Sequence, residues 1–512
     1  MTRSSRQHRT TRRDFLRTLG GLGGAAALAG AADAAPLGTR EVRHWDDKTD
    51  LLVLGSGAAG IAAALEGRQQ GLDVLVVEKF RVPGGTSSLS GGVCYLGGGT
   101  PLQKALRFED SIEAMHAYLI AAGGVHAPRE KIDAYCEGSL EQFDWLVAQG
   151  VVYARRYSDE KELSHEPASL YYCGSERVHP FNEIARPAPR GHVPAAENQT
   201  GGRALMEALL ASASRQGVRL RTGVSARRLI VESDGRVVGA AVEEGGQVRY
   251  LRARRGVVLA TGGFVHNPGM LQLHAPELAA CRPHWGRAGD LGDGIRMGLA
   301  VGGNVLRMNQ GFAVLPLYPP EHVLKGIVVN ATGQRFVNED VYYGEIGHEV
   351  VYHQGGRAFL IVDADSDYPA PDYRLVVAAQ ADTIAALERA IAIPEGALQQ
   401  TVDYYNRHAA EGRDPLWHKD RAFLAPLQRA PFKAYDLSVE NAFIAVHTLG
   451  GLQTDLDARV IGAWGEPIPG LYAAGRATAG IPTAPYRSSG TSIGDCIFFG
   501  RRAARHAARH AT

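Results

Sequence analysis

A short stretch close to the C-terminal end gathers side chains that could act on a polar group of a substrate. Residues 483–496 read TAPYRSSGTSIGDC, so Tyr486, Arg487 and Ser488 stand just before Gly490 and a run that predicts the start of a helix. A tyrosine hydroxyl and a backbone N–H at a helix start can together stabilise the oxyanion that forms when a proton is removed next to a ketone. The same stretch would also serve as an ordinary helix N-cap beside a cofactor, and both interpretations are open at this point.

Three more residues could take part in the same chemistry. Two adjacent phenols, Tyr342 and Tyr343, end the segment GQRFVNEDVYY, and His447 precedes a Gly-Gly pair in AVHTLGG. The pKa of a free phenol is close to 10, so Tyr343 needs a neighbour such as Tyr342, His447 or Arg487 to act as a base near neutral pH. The alternatives are aromatic packing of the tyrosines, a histidine held in the core, and an Arg487 that only neutralises a carboxylate such as Asp495.

The elements that must hold these residues begin with a dinucleotide-binding pattern in residues 50–79. The stretch DLLVLGSGAAGIAAALEGRQQGLDVLVVEK predicts a strand, a glycine turn, an alanine-rich helix and a second strand that ends at Glu78. Gly55 permits the tight turn, Gly57 lets the backbone approach a pyrophosphate, and Gly60 lets the helix pack against the strand. The start of the helix favours an anion, and Glu78 is placed to accept a hydrogen bond from a ribose hydroxyl.

A second loop, rich in glycine and hydroxyl groups, favours FAD as the dinucleotide. RVPGGTSSLSGG, residues 81–92, follows the second strand directly, and a nicotinamide enzyme would need no such loop there. Two later segments, GVVLATGGF at 256–264 and PIPGLYAAGRATAG at 467–480, predict further strands whose glycine turns close over the cofactor. The residues expected to contact FAD are Gly55, Gly57, Ala59, Gly60, Glu78, Lys79, Gly85, Thr86, Ser87, Gly91, Gly92, Ala260, Thr261, Gly262, Gly475 and Arg476.

With these motifs, residues 48–506 resemble the flavoprotein superfamily of fumarate reductases, succinate dehydrogenases and 3-ketosteroid dehydrogenases. The resemblance implies an α/β fold with a Rossmann-like FAD-binding domain of the glutathione reductase type, in two parts at 45–280 and 431–512. It also implies an inserted α+β capping domain at 281–430, with the active site between the two domains. The loop at 84–92 has no histidine where covalent members attach the flavin, which implies noncovalent FAD.

The residues near the flavin separate the branches of this superfamily. In fumarate reductases a histidine and an arginine hold the substrate carboxylate, and His447 and Arg487 occupy those positions here. The arginine that donates the proton is replaced by Tyr343, and Val314 and its neighbours stand where a second histidine would fall. The backbone amides that the resemblance places at the pyrimidine edge of the flavin belong to Thr491, Ser492 and Ile493.

The pattern of the 3-ketosteroid dehydrogenases fits more completely. Those enzymes bind the substrate ketone through Tyr-x-x-x-Gly, here Tyr486 and Gly490, and use a tyrosine after the Asn-Glu pair as the base, here Tyr343. Tyr342 and Ser488 are the alternatives, because the frame is ambiguous by one residue. The segments NEDVYYG and ERVHPFNEIARPAPRGH resemble the Δ4-(5α) branch, which desaturates the steroid ring at C4–C5.

This resemblance leads to one main hypothesis and two alternatives. We expect an FAD-dependent dehydrogenase that removes a proton next to a ketone and passes a hydride to flavin N5, on a small apolar ketone such as a 3-ketosteroid. The first alternative is a fumarate-reductase-like reductase of an activated alkene, and the second is a flavin protein that only carries electrons. No haem or FMN module is recognisable in the sequence, so a quinone or a separate redox protein is the expected electron acceptor.

The N-terminal residues resemble a twin-arginine export signal. The segment TRRDFLR, a weakly apolar stretch and small residues up to position 34 predict export to the periplasm or out of the cell. Residues 1–34 hold six of the 55 basic and two of the 54 acidic residues, which leaves 49 against 52 and no basic field for nucleic acid. No integral membrane segment and no metal site is expected, and the five scattered cysteines are expected to be reduced.

Overall fold

The computed structural model describes residues 35–161, 167–196, 200–318, 321–368 and 375–510, and the predicted export signal lies outside these ranges. In the described residues the strands are, in chain order, β1 Leu37–Gly38, β2 Asp47–Leu54, β3 Val74–Glu78, β4 Cys94–Tyr95, β5 Tyr157–Ser158, β6 Leu170–Tyr171, β7 Gly191–His192, β8 Arg219–Thr222, β9 Val224–Val231, β10 Val237–Glu244, β11 Gln247–Leu259, β12 Val305–Leu306, β13 Gly311–Val314, β14 Ile327–Asn330, β15 Ala358–Val362, β16 Val376–Ala381, β17 Phe432–Asp436, β18 Ala445–Thr448, β19 Gly451–Leu452, β20 Arg459–Ile461 and β21 Pro467–Ala473.

The helices of the same ranges are α1 Ala58–Gln69, α2 Pro101–Ala105, α3 Ile112–Gly123, α4 Arg129–Glu137, α5 Ser139–Ala148, α6 Phe181–Ile184, α7 Gly201–Arg215, α8 Pro268–His274, α9 Pro276–Ala280, α10 Asp293–Ala300, α11 Tyr343–His348, α12 Ile384–Ala390, α13 Ala397–Ala409 and α14 Thr491–Arg509. Short turns of 3-10 type cover Thr39–Glu41, Thr86–Leu89, Gly124–His126, Glu321–Lys325, Arg421–Phe423 and Gly475–Ala477, and a π turn covers Glu349–His353.

A nine-stranded sheet forms the centre of the described fold. Its main path is β1-β9-β10-β11-β2-β3-β8, and β21, with β20 beside it, pairs with the C-terminal end of β11. Strands β11, β2, β3 and β8 run parallel to one another. The apolar runs 51–54 and 74–77 are buried along their whole length, as is typical of parallel strands that are covered on both faces. The sheet and its glycine turn confirm the predicted α/β class with a Rossmann-like FAD-binding fold.

Helix α14 begins directly after the TAPYRSSG segment and packs against α1. Small residues allow the two helices to approach closely, since a Cβ added at Gly500 would overlap the backbone of Ala59. Apolar side chains from both helices, including Ile61, Leu65 and Ile497, share one buried core. The start of α14 is therefore fixed relative to the glycine turn at the start of α1.

Three strands of a separate antiparallel sheet lie in the part of the chain predicted to form the capping domain, and the fourth, β17, lies just past its predicted limit. Its strand order is β14-β15-β17-β16, and α12 and α13 share its apolar core through side chains such as Ile361, Leu387 and Val402. Strand β17 starts at Phe432, close to the predicted limit at 430. The domain limits themselves stay a prediction.

The segment RFVNE, 335–339, is held by a buried network of charges. Arg335 makes a two-pronged ion pair with Glu339, at 2.7 and 3.0 Å, and contacts Asp414 at 2.9 Å. Lys419 Nζ lies 3.1 Å from the Glu339 carboxylate. Burial alone would raise the pKa of Glu339, but the two cations lower it to about 2. The network fixes the backbone that leads into helix α11.

Glu339→Ala is expected to destabilise the protein by about 3–5 kcal/mol, because Arg335 and Lys419 would stay buried without their partner. The folded-state pKa of Glu339 lies below its usual 4.5, so the stabilisation is complete above pH 4.5 and is lost as the pH falls toward 2. Urea unfolding of wild type and variant at pH 7 and at pH 3 measures both effects. A difference in unfolding free energy that is as large at pH 3 as at pH 7 would contradict the prediction.

All five cysteines lie in the described ranges, where they are buried and form no disulfide, in agreement with the expected reduced state. Burial raises the pKa of the Cys136 and Cys281 thiols to about 12, so both are unreactive near neutral pH. Among the helices of the described ranges, none has both the length and the apolarity that crossing a lipid bilayer requires.

Candidate active site

A cleft runs along the edge of the sheet at which the parallel strands β2, β3 and β11 end. It encloses about 840 Å³ of space, part of which is open to solvent. Open α/β sheets bind their ligands at this carboxyl edge, next to the glycine turn. The predicted cofactor residues that line the cleft are Gly55, Gly57, Ala59, Glu78, Lys79, Gly85, Thr86, Ser87, Ala260, Thr261, Gly262, Gly475 and Arg476.

Glu78, at the end of β3, is held in place by Ser56. Its Oε2 accepts hydrogen bonds from Ser56 N–H at 3.0 Å and from Ser56 Oγ at 2.7 Å, and its Oε1 accepts one from Phe80 N–H at 2.9 Å. The carboxylate is therefore oriented within the wall of the cleft by the chain itself. Ser87 Oγ accepts a hydrogen bond from Ala58 N–H at 3.0 Å, which joins the second glycine loop to the start of α1.

Sequence reasoning missed two aspartates, Asp290 and Asp293, that line the same cleft. Asp290 Oδ2 accepts hydrogen bonds from Thr86 Oγ1 at 2.8 Å and from Arg476 at 2.7 Å, and so joins the second glycine loop to the turn after β21. Asp293 pairs with Lys79 at 2.8 Å, so the Lys79 ammonium already has a counter-charge. Both aspartates lie in the segment GDLGDG, where Asp290 comes just before α10 and Asp293 is its first residue. This polar, glycine-rich segment is the signal in the sequence that could have indicated them.

Three of the predicted glycines lie behind the cleft and not in its lining. A Cβ added at Gly60 would overlap the carbonyl oxygen of Gly55, and one added at Gly92 would overlap the backbone of Gly201. The Gly91 carbonyl oxygen lies close to Gly201 in the same turn of α7, and a Cβ added at Gly201 would overlap it. These glycines set the spacing of the elements that form the cleft, and their predicted contact with FAD stays a prediction.

A second cleft, of about 240 Å³, adjoins the first at Gly475 and Arg476, which line both. Ser492, in the first turn of α14, also lines it. Thr491 is buried and donates a hydrogen bond from its hydroxyl to the Ser488 carbonyl at 2.8 Å, and Ile493 is also buried. The start of α14 therefore lies at the second cleft, where its backbone amides are predicted to meet the flavin.

The turn around Gly57 fits the diphosphate of a dinucleotide. Gly57 precedes α1 at φ −68° and has no side chain of its own to cap the helix, and the nearest atom to an added Cβ is Ser87 Oγ at 3.5 Å. A helix start with unfilled space before it is a ready anion site. The residues present therefore fit FAD, which would be held by this turn, by the Glu78 carboxylate and by the hydroxyls of Thr86 and Ser87.

Gly57→Ala is expected to weaken FAD binding by at least about tenfold while the protein keeps its fold. The added methyl group is compatible with the backbone but occupies space that the diphosphate needs. Gly60→Ala is the matched control, since its methyl group would overlap Gly55 and is expected to lower the thermal unfolding midpoint. Fluorescence titration of deflavinated protein with FAD and thermal unfolding followed by circular dichroism measure the two effects. Wild-type FAD affinity in Gly57→Ala would contradict the expected diphosphate site.

The predicted catalytic tyrosines come together in one aromatic cluster. The ring of Tyr486 lies 4.4 Å from that of Phe312 and 6.3 Å from that of Tyr342. Tyr342 lies 4.1 Å from Tyr343, whose ring also faces Tyr318 at 5.7 Å. Tyr342 and Tyr486 are buried, whereas Tyr343 is partly exposed. Two segments that are distant in the sequence therefore meet at one apolar wall, as the 3-ketosteroid dehydrogenase pattern requires.

Tyr486 is suited to donate a hydrogen bond. Burial raises its pKa, although its hydrogen bonds with Ser492 act against this rise, so the phenol keeps its proton near neutral pH. Its Oη donates to Ser492 Oγ at 3.1 Å and accepts from Ser492 N–H at 3.3 Å. Gly490 has a φ of 92° and leaves no room for a Cβ beside Tyr95 N. None of the described residues accepts a hydrogen bond from Gly490 N–H, while the Ser488 carbonyl accepts one from the first turn of α14.

His447 lies on β18 directly opposite Phe312 on β13, with the two rings 4.8 Å apart. Burial, and to a smaller extent the charge of Arg476, holds the pKa of His447 well below its ordinary value, so the imidazole is neutral at pH 7. Its Nε2 is buried and has no hydrogen-bond partner among the described residues. A neutral imidazole can make a hydrogen bond with its remaining nitrogen but does not provide the positive charge that holds a carboxylate.

Arg487 has its charge neutralised within the protein. Its Nη2 lies 2.8 Å from Glu345 Oε1, and its Nη1 donates a hydrogen bond to the Ala122 carbonyl at 3.0 Å. The carboxylate partner is thus in helix α11 and is not Asp495, which accepts a hydrogen bond from Ile481 N–H at 2.8 Å. The ion pair also ties the segment that follows Tyr486 to the helix that begins at Tyr343.

A loop after strand β6 holds both tyrosine-bearing segments. The Cys173 carbonyl accepts a hydrogen bond from Ser489 N–H at 2.8 Å, and Ser175 N–H donates one to the Arg487 carbonyl at 3.3 Å. Ser175 Oγ accepts one from Tyr342 N–H at 3.1 Å. Sequence reasoning missed this loop, because its role depends on backbone contacts with residues far away in the chain and no motif marks it.

Comparison with known proteins agrees with an FAD-binding site of the 3-ketosteroid dehydrogenase pattern. A family model described as an FAD binding domain matches residues 50–493. The 3-oxo-5-alpha-steroid 4-dehydrogenase of Comamonas testosteroni is 32% identical over 508 residues, which cover 86% of this chain and 94% of that protein. The crystal structure of 3-ketosteroid-Δ4-(5α)-dehydrogenase from Rhodococcus jostii RHA1, in complex with 4-androstene-3,17-dione, is 42% identical with a TM-score of 0.88, and covers 93% of this chain and 100% of that chain.

Reductases are also among the similar proteins. Urocanate reductase of Eggerthella lenta is 28% identical over 486 residues, which cover 90% of this chain and 74% of that protein. Dehydrogenases and reductases of this kind share one FAD-binding fold and differ in the side chains around the reacting bond. The chain belongs to this FAD-binding flavoprotein family, and it is an FAD-dependent oxidoreductase of the group that contains the 3-ketosteroid dehydrogenases and the fumarate-reductase-like enzymes.

Proposed function

We propose that the protein is a dehydrogenase that introduces a C=C bond next to the ketone of a 3-ketosteroid or a similar apolar ring. The observation that carries the proposal is that Tyr486, four residues before Gly490, shares one aromatic cluster with Tyr342 and Tyr343. Two similar proteins are named as dehydrogenases of such steroids, which supports the choice of substrate class.

In this proposal the ketone oxygen accepts hydrogen bonds from Tyr486 Oη and from Gly490 N–H. The two donors lower the free energy of the enolate that forms as the neighbouring C–H bond breaks, and one such donor is typically worth about 3 kcal/mol. The left-handed φ of Gly490 and the packing of α14 on α1 keep the N–H in place before substrate binds. FAD, when bound, supplies the acceptor for the hydride that leaves the next carbon.

Tyr343 is the proposed base that takes the proton. Burial raises the pKa of Tyr342 well above 10, and the neighbouring phenols Tyr343 and Tyr486 raise it further. Tyr342 therefore keeps its own proton and can donate a hydrogen bond to Tyr343, which stabilises the phenolate that a base requires. Tyr343 is also the first residue of α11, where the helix dipole favours negative charge.

The alternative of a carboxylate-binding reductase lacks a free positive charge. Glu345 neutralises the charge of Arg487, and His447 is neutral at pH 7. The two side chains that would hold a carboxylate therefore provide no unpaired positive charge. Binding a dicarboxylate there would require breaking this half-buried ion pair. An apolar ketone requires no such change.

We also propose that the protein is exported by the twin-arginine route and that a quinone or a separate redox protein removes the electrons. The paired arginines of TRRDFLR support export, and the sequence contains no recognisable haem or FMN module to take the electrons onward. Replacing both Arg12 and Arg13 with Lys is expected to retain the protein inside the cell, as measured by fractionation. Equal export of the variant would overturn this part of the proposal.

Anaerobic mixing of the purified holoenzyme with a 5α-androstan-3-one-type steroid tests the proposed activity. We expect the yellow flavin absorbance to bleach as the steroid is desaturated, with the new C=C bond located by mass spectrometry and NMR. The chemically reduced holoenzyme, mixed with fumarate or urocanate, serves as the comparison. An oxidised spectrum that is unchanged by steroid, together with reoxidation by either acid, would overturn the dehydrogenase and establish the reductase.

A further inference from the structure

Two histidines and a glutamate gather on one side of the chain just after helix α11. His353 Nδ1 lies 2.9 Å from Glu349 Oε2, and the ring centroid of His348 lies 5.1 Å from that of His353. One ligating atom from each of the three residues lies within 4.8 Å of the other two. No other group of three such side chains this close together occurs in the part of the chain that the structure describes.

The backbone brings these residues together through a π turn. Helix α11 ends at His348, and the wider turn that covers Glu349–His353 closes with a hydrogen bond from Gln354 N–H to the Glu349 carbonyl at 3.0 Å. In a regular α-helix, residues five apart point in different directions, whereas the i to i+5 spacing of a π turn places them on one side. The turn therefore aligns His348 with His353.

His348 has a buried ring nitrogen that is suited to bind a metal ion. The residue is only 8% exposed, and its Nδ1 is buried without a hydrogen-bond partner among the described residues. An unpaired buried nitrogen costs free energy that a bound ion would remove.

We propose that His348, Glu349 and His353 form a binding site for a divalent transition metal ion, with Zn²⁺ as the ion that best matches these ligands. Two imidazole nitrogens and one carboxylate oxygen are a common set of three protein ligands for Zn²⁺, and a water molecule completes the tetrahedron. Mg²⁺ and Ca²⁺ are disfavoured because they prefer oxygen ligands. The side chain of His353 is 55% exposed, which gives the ion a path from solvent and leaves room for the water.

The proposed metal site belongs to the same continuous stretch of helix as Tyr343. Helix α11 begins at Tyr343, carries Glu345, which pairs with Arg487, and ends at His348. A metal ion that clamps the turn after the helix would oppose fraying of its C-terminal end. The proposed site differs from the expectation of no metal, which followed from the five scattered cysteines without a C-x-x-C pair.

Zinc binding by the holoenzyme, purified without a polyhistidine tag and in a buffer free of chelators, tests the proposal. We expect calorimetric titration with ZnCl₂ to show one tight equivalent per chain. His353→Gln is expected to raise the dissociation constant at least about tenfold, and His348→Gln to do the same. Because His353 is exposed, its variant keeps the fold, and unchanged flavin absorbance and circular dichroism spectra verify this for each protein.

His116→Gln is the matched control. His116 Nε2 contacts Asp133 Oδ1 at 2.6 Å on the surface, so this pair offers an imidazole and a carboxylate but no third ligand within reach among the described residues. The control is expected to bind Zn²⁺ as wild type does. Absence of a tight equivalent in the wild type, an equal loss in His116→Gln, or equal binding of Ca²⁺ and Zn²⁺ would each overturn the site.

Discussion

The Tyr486→Phe variant is expected to reduce flavin at about 10²–10³-fold lower rate than wild type when it is mixed with saturating 3-ketosteroid. The variant loses one of the two donors proposed for the ketone oxygen and keeps Gly490 N–H. The ring still packs at 4.4 Å from Phe312, and the lost hydroxyl contacts Ser492 within the same turn, so the fold is expected to persist. Anaerobic stopped-flow absorbance measures the rate, and equilibrium titration with the steroid measures binding.

Ser492→Ala provides the control for this variant. It removes the internal hydrogen bond to the Tyr486 hydroxyl but leaves the phenol in place. We expect Ser492→Ala to retain most of the wild-type rate. Equal losses in the two variants would mean that Tyr486 only orients the first turn of α14, and the proposed contact with the ketone would then be wrong.

The Tyr343→Phe variant is expected to lose about 10²–10⁴-fold in rate, which is the usual contribution of a positioned general base. Its ring can keep the contacts with Tyr318 and Tyr342, so binding of the steroid should change little. Exchange of the substrate proton next to the ketone with deuterated solvent measures proton removal separately from hydride transfer. We expect this exchange in the wild-type protein and its loss in the variant.

Tyr342→Phe is the matched change at the neighbouring phenol. Because burial keeps Tyr342 protonated, its hydroxyl can support Tyr343 but is not available as a base, and a smaller loss of rate is expected. A larger loss in Tyr342→Phe than in Tyr343→Phe would reverse the assignment of the two residues. Proton exchange that persists in Tyr343→Phe would exclude Tyr343 as the base.

The FAD-binding fold could be predicted from the sequence because its signals are local. Gly55, Gly57 and Gly60 lie between the end of a strand and the first turn of a helix. Close backbone contacts require glycine at Gly55 and Gly60, and Gly57 leaves space for the diphosphate. The two tyrosine segments could also be found, because each has a short motif of its own. The structure adds that the two segments meet at Phe312.

The partners that set the charge of the site could not be predicted in the same way. Arg487 finds its carboxylate in Glu345, and Asp290 joins Thr86 to Arg476, across separations that no periodicity or spacing encodes. The neutral state of His447 likewise depends on its partial burial in the folded chain. These features decide between binding a carboxylate and binding a ketone, and they are visible only once the chain is folded.

The loop that contains Cys173 and Ser175 has a consequence for changing the substrate range of this enzyme by design. It is hydrogen-bonded both to the backbone after Tyr486 and to that of Tyr342, so it works as a spacer between the proposed donor and the proposed base. Variant libraries that alter this spacer are expected to accept new ketones only with a lower turnover rate. Libraries at the apolar wall around Phe312 are instead expected to widen the substrate site while the distance between the proposed donor and the proposed base stays the same.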